Sequence, residues 1–397
     1  MNDDVTRPHP DIATVELFCG IGGFRVAADH LGLRTVWAND LSDLASKVYR
    51  DRFGPNELHE GDINALLDSV PPHDLLTGGF PCQPFSAAGK KEGTRDPRGT
   101  LFQSIVDVLK RRTPQHFVLE NVKRLLTMEG GSHFATVLSA LSGLGYRVEW
   151  RVLNARHFGL AQNRERVVLL GTRIDPVDGN LLDLAANLRL TNELDLGAGP
   201  RGLRSLLSQP SGWKSLEGRT TKFPSWGIAT AGRFMGCDLP HFSAARPAVL
   251  LKDVLEPTPS HEYDYTQQTL DRLHKNEAVD RFVNGVEIIS NQAGGARMGY
   301  TIFGIGGLAP TLTASTSRHY ERYRIAGRYR RLTPREYARL QGFADDHCSA
   351  VAAYDQYMLL GNAVPPPMVE WVLRQIANRR PPAREYPTIQ QPELFDV

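Results

Sequence analysis

Cys82 stands where a cysteine can do chemistry. An apolar run, Asp74-Leu75-Leu76-Thr77-Gly78-Gly79-Phe80, ends in Pro81-Cys82-Gln83-Pro84. The run reads as a short buried strand, and the two prolines stop it and stiffen the loop that follows. A thiol is thereby fixed at the C-terminal edge of a strand, the edge at which open α/β sheets bind ligands. Cys82 is either a nucleophile or a buried structural thiol, and this stretch alone leaves both open. A second apolar strand, Pro114–Asn121, delivers Glu120 and Asn121 at its end. A buried carboxyl near a thiol can stay protonated near neutrality and donate that proton; pairing with an arginine for structure is the alternative. Arg164 and Arg166 are two apart at the start of the strand Gln162–Gly171, so they share one face. They could hold an acidic group, a phosphate or a carbonyl oxygen.

The elements that must position these groups read as a doubly wound α/β sheet. Thr14–Phe24 is a strand running into Gly20-Ile21-Gly22-Gly23, and a helix follows over Arg25–Leu31. Strand, glycine turn and helix form the entry for a nucleotide cofactor, although Arg25 stands where a dinucleotide fingerprint has its third glycine. The next strand, Arg34–Asn39, ends on Asp40, placed either to meet ribose hydroxyls or to cap a helix over Leu41–Phe53. Asp62 precedes another helical pattern and reads as an N-cap or as an acceptor for an exocyclic amine. Helices are expected from Arg98 to about Arg112 and over Ser132–Gly143, and a strand over Tyr146–Asn154. Around Thr172–Gly179 the βα rhythm stops. From there to about Gly306 the Gly- and Pro-rich chain reads as a second, irregular domain of short strands and loops, with a helix over His261–Arg281. Thr333-Pro334-Arg335-Glu336 is a capping box opening a helix to about Gln341. Tyr357–Pro365 is a short apolar run ending in a glycine turn, and it leads into a helix over Pro366–Asn378.

Composition narrows the class. At 397 residues there is room for two or three domains, and 41% hydrophobic with 23% charged residues is globular usage. Met1–Pro10 is no signal peptide and no apolar run is long enough to span a bilayer, so a cytoplasmic protein is expected. Cys19, Cys82, Cys237 and Cys348 are widely spaced, which argues against a zinc site and a disulfide framework; no metal is expected. The net charge of +2 does not announce nucleic acid. Arg318–Arg335, however, holds seven arginines interleaved with Tyr320, Tyr323 and Tyr329, a pattern suited to a phosphate backbone or to a solvated face.

FCGIGGF at 18–24, PCQ at 81–83, ENV at 120–122, QNRER at 162–166 and GNAVP at 361–365 occur in one order. The set, with RGTLF at 98–102 and RRLTPREYARLQGF at 330–343, resembles the DNA (cytosine-5)-methyltransferase family, in particular the modification methylases of restriction–modification systems. The resemblance implies an S-adenosylmethionine-dependent methyltransferase (Rossmann-like), mostly parallel sheet with a smaller, irregular DNA-recognition domain. It implies a catalytic and cofactor-binding domain over 12–175 completed by 352–380, a target-recognition domain over 176–351 and a disordered tail over 381–397. Cys82, Glu120, Arg164 and Arg166 would be catalytic. Phe18, Gly20, Gly22, Gly23, Asp40, Leu41, Asp62, Ile63, Gly79, Pro81, Leu101, Asn362 and Ala363 would hold S-adenosylmethionine. Gln83, Ser86 and Thr311 would meet double-stranded DNA, and the Arg318–Arg335 stretch would line the cleft. Asp40-Leu41 replaces the Glu-aromatic pair of many members, and Ala363 a common serine. A monomer serving beside a cognate restriction endonuclease is expected; a tRNA cytosine-5 methyltransferase and a catalytically inactive DNA-binding relative are the alternatives.

Overall fold

The computed structural model describes residues 12–80, 99–174, 188–191, 212–239, 246–273, 276–291, 301–314 and 321–377. Its main sheet begins with alternating strands and helices: β1 (Ala13–Leu17), α1 (Gly23–His30), β2 (Arg34–Asp40), α2 (Asp43–Phe53), β3 (Leu58–Glu60), α3 (Ile63–Leu66) and β4 (Leu75–Gly79). Then come α4 (Gly99–Arg112), β5 (His116–Val122), α5 (Ser132–Gly143), β6 (Tyr146–Asn154) and β7 (Glu165–Arg173). Three further strands, β8 (Lys214–Ser215), β9 (Trp226–Thr230) and β10 (Arg233–Cys237), complete ten in the order β3-β2-β1-β4-β5-β7-β6-β9-β10-β8. Strands β1 to β5 pair in parallel, and β7 inserts antiparallel between β5 and β6.

The two-residue period of the strands explains why both faces are covered. Leu76, Phe117, Leu119, Val167 and Leu169 pack against Ile105, Val108 and Leu109 of α4 and Phe134, Val137 and Leu138 of α5. Their neighbours Leu75, Val118, Val168 and Leu170 point the other way, against Phe24 and Ala27 of α1 and the C-terminal helix. That helix and the elements before it are α6 (Gln267–Leu273), β11 (Glu277–Val283), β12 (Val286–Asn291), β13 (Ile302–Phe303), β14 (Arg322–Ile325), β15 (Arg328–Arg330), α7 (Pro334–Gln341), α8 (Ala353–Asn362) and α9 (Pro366–Ala377). Strands β11 to β15 form a separate five-stranded sheet in sequence order. Among the described residues no helix is long and apolar enough to cross a membrane.

Four expectations change. Residues 214–237, placed by sequence in the small domain, belong to the main sheet: β9 pairs with β6, where Trp150 meets Phe223 and Phe234 and its indole N–H donates to Pro224 O. Without them β6 would be an open edge. The division at 351/352 cuts one core, since Tyr337 of α7 stacks edge-on against Tyr357 of α8 at 4.8 Å. The helix expected over His261–Arg281 is confined to α6, because Asn284-Gly285, with φ of 51° and 83°, makes the tight hairpin turn that pairs β11 with β12. Tyr357–Asn362 is the end of a helix rather than an extended run. The capping box at Thr333 forms as expected, with Glu336 accepting from the Thr333 N–H at 2.8 Å.

The basic Arg318–Arg335 stretch is largely committed within the fold. Arg330 is 1% exposed and pairs with Glu336 at 2.7 Å, Arg328 pairs with Asp264, and Arg331 lies over Tyr263. Arg318 and Tyr320 lie outside the described residues. Nearby, Glu321 is buried, accepts from Tyr337 Oη, and is pushed up to about 7, first by burial. An acid whose folded pKa is raised supports the fold most fully below its unfolded pKa, and that support is lost as pH rises through 7. Glu321→Gln therefore gains stability over the intact protein as pH rises from about 4.5 to 8, by about 3 kcal/mol in total and mostly below pH 7. Thermal unfolding at the two pH values checks this; a difference between the proteins that does not move with pH would contradict it.

Candidate active site

The sheet reverses direction of winding between β1 and β4, and a crevice opens there at the C-terminal strand ends. A cavity of 560 Å³ fills it. From β1 the chain enters the cavity wall through Phe18, whose φ of 54° is the left-handed conformation that side chains rarely adopt. Gly20 follows, its N–H donating to Asp40 Oδ2 at 2.8 Å. Gly23 opens α1 against Val364, and a Cβ on it would sit 2.3 Å from the Val364 carbonyl oxygen. Asp40, at the end of β2, also accepts from the Ser42 N–H at 2.8 Å. Ser42, not Asp40, caps α2. Burial raises the Asp40 pKa against these N–H donors.

The opposite wall comes from β4, β5 and β7. Gly79 and Phe80 line it, and Asn121 Nδ2 donates to Phe80 O at 2.8 Å, tying the end of β5 to the last described residue before the Cys82 loop. Glu120 is 8% exposed, and its Oε1 accepts from Arg166 Nε at 2.8 Å. Burial raises its pKa, opposed by Arg166 and then Arg164. Arg164 is placed differently from expectation. Its Nη1 donates to Leu312 O at 2.9 Å and its Nη2 to Gly361 O and Ala363 O at 3.0 and 2.9 Å. The guanidinium is held by backbone carbonyls at the cavity wall, which Arg164 also lines. Asn362 and Ala363, between α8 and α9, close the cavity.

Several expected site residues point elsewhere. A Cβ on Gly22 would meet the Phe53 ring at 2.3 Å, so this glycine serves packing and the left-handed start of α1. Leu41 is 70% exposed and does not line the cavity. Asp62 caps α3 by accepting from the Asn64 N–H, Ile63 is buried in the main core, and Leu101 packs half-buried against it. Thr311 Oγ1 donates to Asn163 O at 2.6 Å. Pro81, Cys82, Gln83 and Ser86 lie outside the described residues.

Three residues that carried no role in the sequence reading belong to this site. Glu16 of β1 lines the cavity, buried, with no side-chain hydrogen-bond partner, and burial pushes it up to about 8, opposed by Arg25 and by the Phe24 N–H. A lone acid inside the apolar run TVELF was the available signal. Asn121 holds the root of the Cys82 loop. His347 donates from Nε2 to Ile21 O at 2.7 Å, steadying the glycine turn from a distant segment that no local pattern connects to it.

The strand order and the cavity at its switch point define a doubly wound α/β protein with its crevice at the C-terminal strand ends. The model of the C-5 cytosine-specific DNA methylase family matches residues 12–378, and the chain belongs to that family. Type II methyltransferase M.NlaX of Neisseria lactamica is 30% identical over 371 residues, 91% of this chain and 95% of the relative. Type II methyltransferase M.NgoBI of Neisseria gonorrhoeae is 47% identical over 159 residues, 40% of this chain and 50% of the relative. That stronger match thus spans about half the length of the relative. Among solved structures, the Schizosaccharomyces pombe Dnmt2 methyltransferase has the same fold, with a TM-score of 0.57 at 18% identity over 92% of this chain and 98% of that one.

Proposed function

We propose that this protein methylates C5 of a cytosine flipped out of a short, specific double-stranded DNA sequence, using S-adenosylmethionine. The observation that carries the reading is one cavity in which Asp40, the glycine turn and a buried Glu16 face the Glu120–Arg166 pair, at the root of the loop bearing Cys82. The residues fit the cofactor. Glu16 offers a buried carboxyl that an ammonium such as the α-amino group would draw into its ionised form, Asp40 retains acceptor capacity for ribose hydroxyls, and Gly20 has open space where a Cβ would stand. When bound, S-adenosylmethionine supplies an electrophilic methyl group on a sulfonium.

Extrusion of the base costs about a few kcal/mol and exposes C6. Cys82, as thiolate, adds to C6; the Sγ–C6 bond forms and the electron pair moves toward C5. Glu120, its pKa raised by burial, gives its proton to N3, and Arg166 approaches O2 and holds Glu120 in place. After methylation C5 loses its proton to water, the Sγ–C6 bond breaks as the thiolate leaves, and N3 returns its proton to Glu120. Phe80 lies two residues before Cys82 and lines the same cavity, which supports this division of work. The main-sheet domain, including residues 214–237, carries cofactor and chemistry. Residues of the five-stranded sheet region, with Gln83, Ser86 and Thr311, contact DNA. We assign it to the modification arm of a restriction–modification system, as a cytoplasmic monomer acting beside an endonuclease.

The reaction is tested by incubating the purified chain with S-adenosylmethionine and unmethylated plasmid, then digesting the DNA to nucleosides for mass spectrometry. 5-Methyl-2′-deoxycytidine is expected; a methyl group only on adenine or on cytosine N4 would overturn the assignment. Asp40→Ala weakens S-adenosylmethionine binding about tenfold or more while DNA affinity stays within about twofold, because two hydrogen bonds to ribose are lost. Calorimetry with each ligand checks it, and equal loss of both would count against the ribose role.

A further inference from the structure

Two segments far apart in sequence meet on Gln162–Arg164. On one side runs 309–312: the Ala309 N–H donates to Ala161 O at 2.8 Å, Asn163 N–H to Ala309 O at 2.9 Å, and Leu312 N–H to Gln162 Oε1 at 3.1 Å. Thr311 adds its hydroxyl to Asn163 O. On the other side stands the cavity wall at 361–364. Arg164 grips it through the Gly361 and Ala363 carbonyls while also gripping Leu312 O. Gln162 Nε2 donates to Leu340 O at 3.0 Å and to Gln341 Oε1 at 3.3 Å, and Gln341 donates in turn to Leu360 O. Gly361 packs so tightly on Thr313 that a Cβ would sit 2.4 Å from that carbonyl.

Gln162 is 0% and Arg164 1% exposed. Apolar side chains would fill this volume without the desolvation that a buried guanidinium suffers. What they would not provide is one planar group whose geometry fixes three carbonyls from two segments at once. A displacement of 309–312 therefore carries Leu312 O away from the plane that also holds Gly361 and Ala363. Arg166, which orients Glu120, follows two residues later, at the start of β7.

We propose that Arg164 and Gln162 are positioning residues that couple the 309–312 segment to the cavity wall at 361–364, so that DNA engagement and cofactor retention strengthen each other. The proposal rests on the methyl-transfer reading. Such coupling is reciprocal between the two ligands.

The test is calorimetric titration of the full chain with S-adenosylhomocysteine, alone and with a saturating duplex carrying the sequence found methylated. The intact protein is expected to bind S-adenosylhomocysteine about fivefold or more tightly with the duplex than without it. In Arg164→Met that ratio falls to about one, and Arg164→Lys restores part of it, since one ammonium reaches fewer carbonyls. Thr311→Val keeps Arg164 and the residue's volume but removes the hydroxyl bond to Asn163 O; it lowers the ratio at least about twofold. If Arg164→Met does not fold, Arg164→Lys and Thr311→Val decide. A ratio of one in the intact protein, or an undiminished ratio in the variants, overturns the coupling. Failure of the intact protein to bind S-adenosylhomocysteine at all overturns the methyl-transfer reading, and the coupling with it.

Discussion

Cys82→Ala abolishes methyl transfer, by roughly 10⁴-fold or more, while S-adenosylmethionine still binds within about twofold of the intact protein. The reason is chemical. C5 of cytosine is a poor nucleophile until a thiolate has added at C6, and alanine supplies no such group. No other described cysteine can substitute: Cys19 and Cys348 are buried, with pKa raised by desolvation, and none of Cys19, Cys237 and Cys348 lies on the Cys82 loop. Rates with methyl-labelled cofactor, together with calorimetry, check both halves. Substantial residual turnover would remove Cys82 from the mechanism.

Glu120→Gln keeps the shape of the side chain and its contact with Arg166 but cannot transfer a proton to N3. The expected loss in kcat is about 10²- to 10³-fold, with KM for DNA changed far less. The pH profile separates this from a packing effect. Burial raises the Glu120 pKa, so the neutral, donating form persists to higher pH than for an ordinary carboxyl. Activity of the intact protein then falls on the alkaline side as Glu120 ionises, and the variant lacks that limb. A variant within about threefold of the intact protein at every pH would contradict the role.

The β-strand ends that build the cavity were legible because each run meets a glycine turn, an acid or a proline: Gly20 after the run from Thr14, Asp40 after Arg34–Asn39, and Pro81 after Phe80. So was the α7 capping box, a purely local device. What the sequence concealed depends on tertiary partners. Gly22 looks like a ligand-binding glycine, yet the Phe53 ring fills the space beside it. Asp40 looks like a helix cap, but Ser42 takes that place two residues later. Arg164 lies just before β7 and Arg166 within it, and only the packing of 309–312 and 361–364 gives Arg164 three carbonyls and leaves Arg166 to Glu120. The sheet extension through β9 escaped notice because its strands follow a long irregular stretch, and nothing local says that they pair with β6. The β11–β12 hairpin does carry a local sign, Asn284-Gly285, just beyond the stretch whose pattern favours a helix.

The most direct measurement of the central claim is bisulfite sequencing of plasmid DNA from cells expressing the intact protein or Cys82→Ala. Unconverted cytosines at one position of one short sequence, present only with the intact protein, are the predicted result. Fully converted plasmid from cells in which the intact protein is abundant and binds S-adenosylmethionine would contradict DNA cytosine methylation as its reaction.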